Sequence, residues 1–419
     1  MDIPQGYKQT ELGIIPEDWE IVNLGSVAKI NGRIGFRGYT TADLVGVGQG
    51  AYTIGGKHIT NMVLDLHDAE YISWQKYYES PEIMVRKGDI VFAQRGTLGK
   101  SAFIVNDIGP ATINPSLVLI NKIKCDNEYL SYWLQCDKIV EYICSINSQT
   151  SIPMITQNQI EHIPVVLSRI KAEQQAIAEA LGDIDGLIAT LDKKIAKKRL
   201  IKQGAMSQLL TGKKRLPGFS DPWVEKKFSD LYRYASEGGT PDTNNMRFYA
   251  NGDVPFVKIE DTETKYIESC NSFITSEGIN NSSAWIVPVN SIIYTNGATI
   301  GNVSINKIPV ATKQGILGII PSSIINLEFM YYLLLSQNFK REVDSRQAKG
   351  TFATIILKSL DEIPIYLPLN QMEQIAIATI LSDMDKEIAD LEAQRDKYRL
   401  LKSGMMQKLL TGQIRLKIK

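Results

Sequence analysis

Histidine is nearly absent from this 419-residue chain: it has three (His58, His67 and His162), and none looks catalytic. Cysteine is almost as scarce. Cys125, Cys136, Cys144 and Cys270 show neither C-x-x-C spacing nor paired ligand clusters, so the chain carries no signature of a zinc site or a disulfide framework and its thiols are expected to be reduced. Charge of one sign is not in excess either. The 46 Lys+Arg balance 46 Asp+Glu, and the pI is about 6.9, which removes a chain-wide basic excess as an argument for nucleic acid and leaves only a local basic surface. No run approaches the roughly 18 apolar residues of a membrane span, and the opening MDIPQGYKQTELGIIPEDWE lacks the basic and apolar regions of a signal peptide, so a cytoplasmic protein is expected.

What remains is an ordinary globular composition, with 44% hydrophobic, 22% charged and 8% aromatic residues, 31 Gly and 16 Pro. The length predicts about two to three domains at roughly 150 residues each, and a single core is not expected.

The chain repeats itself. EQQAIAEALGDIDGLIATLDKKIAKKRLIKQGAMSQLLTGKKRL, from Glu173, aligns without a gap on EQIAIATILSDMDKEIADLEAQRDKYRLLKSGMMQKLLTGQIRL, from Glu373, with about half the positions identical. Upstream the match thins. Ile163-Pro164 answers Ile363-Pro364, NEYLSYWL from Asn127 answers LEFMYYLL from Leu327, and GDIVFAQRGTLGK from Gly88 shares only a skeleton with NSIIYTNGATIGN from Asn290, keeping Thr97 over Thr299 and Gly99 over Gly301. Trp19 in PEDWE likewise resembles Trp223 in SDPWV. Each half thus has a variable front and a nearly constant back, as expected if the constant part meets one kind of partner twice and the variable part meets two targets. Drift of loops is the alternative.

The constant segments read as helices. Ile177, Leu181, Ile184, Ile188, Leu191 and Ile195 follow alternating four- and three-residue steps, and Ile377, Leu381, Met384, Ile388 and Leu391 do the same, a coiled-coil seam of about three heptads. Two such seams in one chain are expected to pair antiparallel; packing on the helix's own domain, or on another chain, is the alternative. Asn370 three residues before Glu373 predicts an N-cap with a capping box. Gly204 and Gly404 predict a break before a short terminal helix, and Gly212 and Gly412 a glycine cap. From Glu173 to Gln203 the helix would span roughly 45 Å. The basic run Lys193, Lys194, Lys197, Lys198, Arg199 and Lys202 fits either a solvated face or DNA phosphates.

The variable segments GDIVFAQRG, ATINPSLVLIN, VPFVKIED and NSIIYTNG are short, β-rich and bounded by Gly, Asn and Pro, which predicts strands and turns followed by helices such as NEYLSYWLQCDKIVEYICS. The fold class is α/β (α+β): two globular domains alternating with two long helices in a pseudo-twofold repeat. The expected boundaries are 1–168, 169–212, 213–368 and 369–419.

Enzymatic readings are weaker. Pro241-Asp242 with Glu263-Thr264-Lys265 matches the loose PD…E-x-K pattern of metal-dependent nucleases, but the first copy has no counterpart and Glu225-Lys226-Lys227 supplies a second E-x-K by chance. No Asn- or Asp-Pro-Pro-aromatic motif and no F-x-G-x-G loop supports a methyltransferase. A coiled-coil scaffold carrying protein- or ligand-binding domains also fits the periodicity.

The order of variable domain, helix opening with EQ-x-x-I-A and ending in LLTG, second variable domain and second such helix resembles the specificity subunit of type I restriction-modification enzymes over essentially the whole chain. GDIVFAQRGTLGK, EGGTPDT (Glu237 to Thr243), IPIYLPLNQMEQIAIA and GAMSQLLTGKKRL are similar to recurring family blocks. Two places depart from the pattern: Ser168-Arg169 replaces the Leu367-Pro368 of the second copy, and NGRIGFRG from Asn31 replaces the GGTP-type loop. The resemblance implies that each variable domain is a target-recognition domain reading half of a split, asymmetric DNA site, with the paired helices as spacer. Two adenine-methyltransferase modification subunits would bind the scaffold and restriction/translocase subunits would join them, those partners using S-adenosylmethionine, ATP and Mg2+. This chain would supply recognition, with no catalytic residue, metal or cofactor of its own.

Base reading needs Arg or Lys for guanine and Asn or Gln for adenine. In the first domain Arg33, Arg37, Lys57, Gln94, Arg95 and Lys100 stand in turns beside glycines; in the second, Thr240, Lys258, Asn296, Lys313, Gln314, Arg346 and Lys349 hold comparable places. These are the candidate DNA contacts, with a solvated surface role as the alternative for each. Gln94-Arg95 against Asn296-Gly297 in one aligned turn is the kind of difference that two base targets require. His58, after Lys57 in GGKHIT, is expected in a turn, exposed or against DNA.

Overall fold

The structure is a computed structural model that describes residues 3–60, 62–147, 153–347 and 353–416. It divides into two compact units, one of residues 1–191 with 394–419 and the other of residues 192–393.

In the first unit an antiparallel sheet runs in the order Ser101–Phe103, Ile90–Ala93, Leu117–Asn121, Lys29–Gly32. Its central strands are continuous apolar runs because both faces are covered. Ile90, Phe92, Val118 and Ile120 face a core with Trp19, Tyr129 and Trp133, while Val91, Ala93, Leu117 and Leu119 face a second core with Ile54 and Ile113, the alternation that a strand imposes. That second core lies against another sheet, ordered Ala111–Ile113, Gly50–Ile54, Glu70–Ser73, Leu44–Val45, whose first two strands are parallel. Asp126 Oδ1 accepts the Tyr129 N–H at 2.9 Å and starts the helix Asn127–Gln135; Cys136 in extended conformation ends it, and Asp137–Ser145 follows.

The second unit repeats the plan. Ile292, Tyr294, Leu317 and Ile319 face a core with Phe329 and Tyr332, Ile293 and Ile316 face another with Val257 and Val287, and Val254–Val257 pairs in parallel with Val310–Thr312.

Each long helix has 39 residues, Lys171–Leu209 and Gln371–Leu409, and neither breaks at Gly204 or Gly404 as the sequence suggested. A helix-interior glycine costs only about 1 kcal/mol against alanine, and the turns beyond it are held by packing: Leu209 and Leu210 join the second unit's core, Met406, Leu409 and Leu410 the first unit's. A Cβ at either glycine would meet nothing within 4 Å. Gly204→Ala and Gly404→Ala are therefore expected to raise stability by up to about 1 kcal/mol each, read as a shifted denaturation midpoint; a loss of stability would contradict a regular helix at these positions. Gly212 and Gly412 do act as caps, both at φ +67°, and a Cβ at Gly412 would lie 2.5 Å from the Pro16 ring.

Within each unit the beginning of one long helix runs antiparallel to the end of the other. In the first, Ile177, Ala178 and Leu181 pack with Met406, Leu409 and Leu410, and Lys402 pairs with Asp185 at 2.8 Å. In the second, Ile377, Ala378 and Leu381 pack with Leu209 and Leu210, and Lys202 pairs with Asp385, Lys198 with Glu387 (2.6 Å) and Arg199 with Glu392 (2.5 Å). Part of the basic run thus joins helix to helix, while Lys193, Lys194 and Lys197 stay exposed. Leu191, Ile195, Ile388 and Leu391 are buried; Ile184, Ile188 and Met384 are half-buried. The first positions of each seam belong to the core of the adjoining domain as well as to the helix pair, so the two packing alternatives coexist.

The capping box expected at Asn370 is absent. Asn370 Oδ1 accepts the Met372 N–H at 2.9 Å, but fully buried Glu373 turns inward, accepting from Arg215 Nε (2.7 Å), Arg215 Nη2 (2.8 Å) and Trp223 Nε1 (3.3 Å). Glu173 repeats this with Arg415 (2.5 and 2.8 Å) and Trp19 Nε1 (3.2 Å), and adds Ser168, whose Oγ also accepts the Ile170 N–H. Ser168 thus takes up the helix entry where the second copy has proline. The neighbouring glutamines do equal work: Gln174 accepts the Asp126 N–H and Gln374 the Asn326 N–H, tying each helix start to its domain.

Candidate nucleic-acid interface

The parallel strand pairs position the candidate residues. In the first domain Gly50–Ile54 and Ala111–Ile113 end side by side, sending the loops Gly55–His58 and Asn114–Ser116 in one direction. The turn Gln94–Lys100, between Ile90–Ala93 and Ser101–Phe103, joins them: Gln94 N–H and Arg95 N–H both donate to Ser116 O, at 3.0 and 3.2 Å. These three loops bound a cleft of about 320 Å3 whose walls include Lys57, His58, Arg95, Thr97, Asn114 and Ser116.

Of the six candidates in this domain, Lys57 and Arg95 line the cleft; Gln94 and Lys100 flank it on the same turn. Lys57 is exposed and 3.7 Å from Glu70, a surface pair of little energetic weight. Arg95 is exposed, its Nε directed to Met154 Sδ at 3.1 Å. Gln94 Nε2 donates to Pro115 O at 2.9 Å. Arg33 is placed differently. It is buried beneath the strand end, with Nε on Ile113 O (3.1 Å), Nη2 on Thr112 Oγ1 (2.9 Å) and the guanidinium over Tyr39, and burial lowers its pKa. Arg37 points to Glu82 at 3.5 Å.

The second domain builds the same frame. Asn296 N–H and Gly297 N–H both donate to Gly315 O, at 2.9 and 3.3 Å, and Ile355 N–H donates to Asn296 O at 2.9 Å as Ile155 N–H does to Gln94 O at 3.0 Å. Lys258 follows one parallel strand, Lys313 and exposed Gln314 the other. Asn296 is buried, its Nδ2 donating to Ile355 O (3.1 Å) and Glu237 Oε2 (3.4 Å). Glu237 also accepts the Gly315 N–H at 2.7 Å. Exposed Thr240 follows Gly238-Gly239, where a Cβ on Gly238 would lie 1.8 Å from Thr312 O, so only glycine fits. Arg346 is half-buried on its own helix and paired with Glu342. Lys349 lies outside the described residues.

Sequence reasoning missed Thr97, Asn114, Ser116 and Glu237, and expected His58 at the surface where the structure buries it. His58, Asn114 and Ser116 follow the ends of the parallel strands Gly50–Ile54 and Ala111–Ile113, a pairing that joins segments more than fifty residues apart, whereas Thr97 lies in a turn between antiparallel strands and Glu237 ends an antiparallel strand.

The nuclease-like residues have other partners. Asp242 accepts the Asn244 N–H at 3.0 Å in an exposed turn, while Lys265 reaches Glu328 (2.7 Å), Ser382 Oγ (2.7 Å) and Tyr332 OH (3.0 Å) beside the long helix. Among the described residues no group of three His, Cys, Asp or Glu side chains could hold a metal ion, and no helix is long and apolar enough to cross a membrane.

Two globular domains that share a loop frame but not its side chains, each mounted on a pair of long helices, define a recognition architecture. Residues 16–198 and 220–398 both match the family described as the type I restriction modification DNA specificity domain. The chain belongs to that family, as a non-catalytic specificity chain with two copies of the domain. It is 26% identical over 441 residues, covering 99% of itself and 97% of the relative, to a putative type I restriction enzyme MjaX specificity subunit of Methanocaldococcus jannaschii. Among solved structures it resembles in fold a chain of a type I R-M system studied for complex assembly and conformational transition (TM-score 0.61, 16% identity, 96% and 99% covered). It also resembles the type I S subunit from M. genitalium (TM-score 0.57, 15% identity, 98% of both chains).

Proposed function

We propose that the two globular domains, residues 1–168 and 213–368, each read one half of a split, asymmetric site in double-stranded DNA. Segments 169–212 and 369–419 set the gap and dock two adenine-methyltransferase modification subunits, which restriction/translocase subunits join in the cytoplasm. S-adenosylmethionine, ATP and Mg2+ are used by those partners.

One observation carries the reading. The three-loop frame recurs with the same backbone hydrogen bonds in both domains, while its side chains change from Gln94, Arg95 and Asn114 to Asn296, Gly297 and Lys313. A fixed frame with exchanged polar side chains is what two different base sequences require. In this reading Lys57, Gln94, Arg95 and Lys100, and Thr240, Lys258, Asn296, Lys313 and Gln314, face DNA; Arg37 and Arg346 lie at its margin, Lys349 remains a candidate contact by sequence alone, and Arg33 holds the first cleft's strand end in place. Docking of two like partners is supported by exposed apolar pairs at equivalent helix positions, Leu200-Ile201 in one unit and Leu400-Leu401 in the other.

Co-expression with the neighbouring modification subunit in a methylation-free host, followed by mapping of modified adenines, tests this. The expected result is a two-part motif with a fixed gap, and in vitro binding that weakens steeply with salt. An intact complex that yields no motif and binds without salt dependence would favour a scaffold for protein or small-ligand partners instead.

A further inference from the structure

The cleft of the first domain keeps two polar atoms that its own fold leaves unpaired. His58 is 4% exposed and Thr53 2% exposed; both line the cleft, and among the described residues neither His58 Nε2 nor Thr53 Oγ1 has a hydrogen-bond partner. Unpaired buried polar atoms are costly, and these two stand together in one cleft where a ligand's polar atoms could satisfy them.

The second domain shows what His58 adds. Its corresponding turn is capped by Asp261, whose Oδ2 accepts the Lys258 N–H at 2.8 Å. In the first domain His58 Nδ1 accepts the Gly55 N–H at 2.9 Å, over the same three-residue spacing. A carboxylate would complete this cap unaided. An imidazole accepting at Nδ1 carries its proton, when neutral, on Nε2. His58 therefore caps the turn and also holds one donor in a fixed tautomer. Two residues before the capped N–H stands Thr53 in the first domain and Phe256 in the second, so the second domain's frame has neither group. Lys57, Arg95 and Asn114 bring further donors to this cleft, Asn114 because its Oδ1 already accepts from Ser116 N–H and Oγ at 2.9 and 2.6 Å, while the Thr97 and Ser116 hydroxyls can donate or accept. Lys57 is exposed, and Arg95 uses its Nε on Met154 while its terminal nitrogens have no partner among the described residues. Glu70 is the one carboxylate on these walls, and it faces Lys57.

Resting on the recognition reading above, we propose that this cleft reads a guanine in the first domain's half-site, with His58 as a specificity-determining residue. Guanine alone presents two neighbouring acceptors, O6 and N7, on its major-groove edge; adenine mixes acceptor and donor, and cytosine offers a donor. The donors of His58, Lys57 and Arg95 select the first pattern. A backbone phosphate is also an acceptor, but it carries no sequence information, and that separates the two in experiment.

The test compares wild type, His58→Asp and His58→Asn, each as the full chain with its modification subunits, by mapping modified adenines. His58→Asp keeps the cap in the form the second domain uses, and His58→Asn keeps both an acceptor for the cap and a donor for the base. The expected result is a guanine in the wild-type half-motif assigned to residues 1–168. His58→Asp should reduce preference for it roughly ten- to hundred-fold, leaving the other half and the gap unchanged, with partial retention in His58→Asn. Substituting 7-deazaguanine, which lacks N7, should weaken wild-type binding at that position and leave His58→Asp indifferent. An unchanged motif in His58→Asp, or a loss uniform over all sequences, would overturn the proposal and leave His58 as a cap or a phosphate contact. Absence of any split motif in wild type would instead remove the recognition reading itself.

Discussion

Arg215→Ala should lower the unfolding midpoint of the second unit by roughly 6–20 °C. Glu373 is fully buried, and Arg215 meets it with two parallel bonds at 2.7 and 2.8 Å while Trp223 Nε1 adds a third at 3.3 Å. Such a bidentate pair is strong because its geometry is fixed, yet most of the cost of breaking it comes from the charge left behind. Removing one partner of a buried pair costs about 3–5 kcal/mol, and each kcal/mol moves the midpoint of a unit of this size by about 2–4 °C. Replacing both partners, Arg215→Met with Glu373→Leu, removes the stranded charge and should recover much of the loss. Calorimetry of the three variants decides the matter; a shift under about 2 °C for Arg215→Ala, or a double variant worse than the single, would show that the pair is not what holds the helix start. Arg415→Ala should act alike in the first unit through Glu173. Its additional loss of Asp18 concerns a half-exposed carboxylate and should add little.

This clamp also explains which parts of the fold could be read from sequence. The repeat was legible because Glu173, Gln174, Arg415 and Trp19 occupy the same contacts as Glu373, Gln374, Arg215 and Trp223, so drift at any of them strands a buried partner. The strands around Ile90–Ala93 and Ile292–Thr295 were legible because burial on both faces demands unbroken apolar runs. Local rules failed wherever tertiary contacts decided the outcome. Gly204 stays helical because the core grips the turns beyond it, and Glu373 leaves the capping box because two bonds from the Arg215 guanidinium and one from Trp223 outweigh one backbone N–H. Arg33 and Lys57 look alike as cations next to glycines, yet one lies under a strand end and the other on the cleft wall, a difference set by the parallel pairing of Thr53 with Thr112. Lys193, Lys194 and Lys197 of the basic run are exposed, while Lys198, Arg199 and Lys202 pair with acidic residues that lie some two hundred residues away in the chain.

Replacing residues 1–168 by the corresponding domain of a relative with a different specificity should change one half of the modified motif completely and leave the other half and the gap as they were. The expectation depends on where the exchanged piece meets the retained helix. Gln174 accepts the Asp126 N–H, Glu173 accepts from Trp19 and Ser168, and Asp185 accepts from Tyr132 OH at 2.8 Å. A donor domain must therefore bring a tryptophan at position 19 and a tyrosine at position 132, and helix entry needs a hydroxyl or its proline equivalent at position 168. When these are present, the first unit's core closes on Ile177, Ala178 and Leu181 as before, and the cleft loops, which make no part of that joint, carry their side chains with them. The second unit, residues 192–393, contains its own clamp and loop frame and receives no altered residue. Mapping modified adenines in the chimaera separates the outcomes: a change confined to one half supports independent readers, whereas changes in both halves would mean the two domains act jointly, and an unchanged motif would mean that base reading lies outside the exchanged domain.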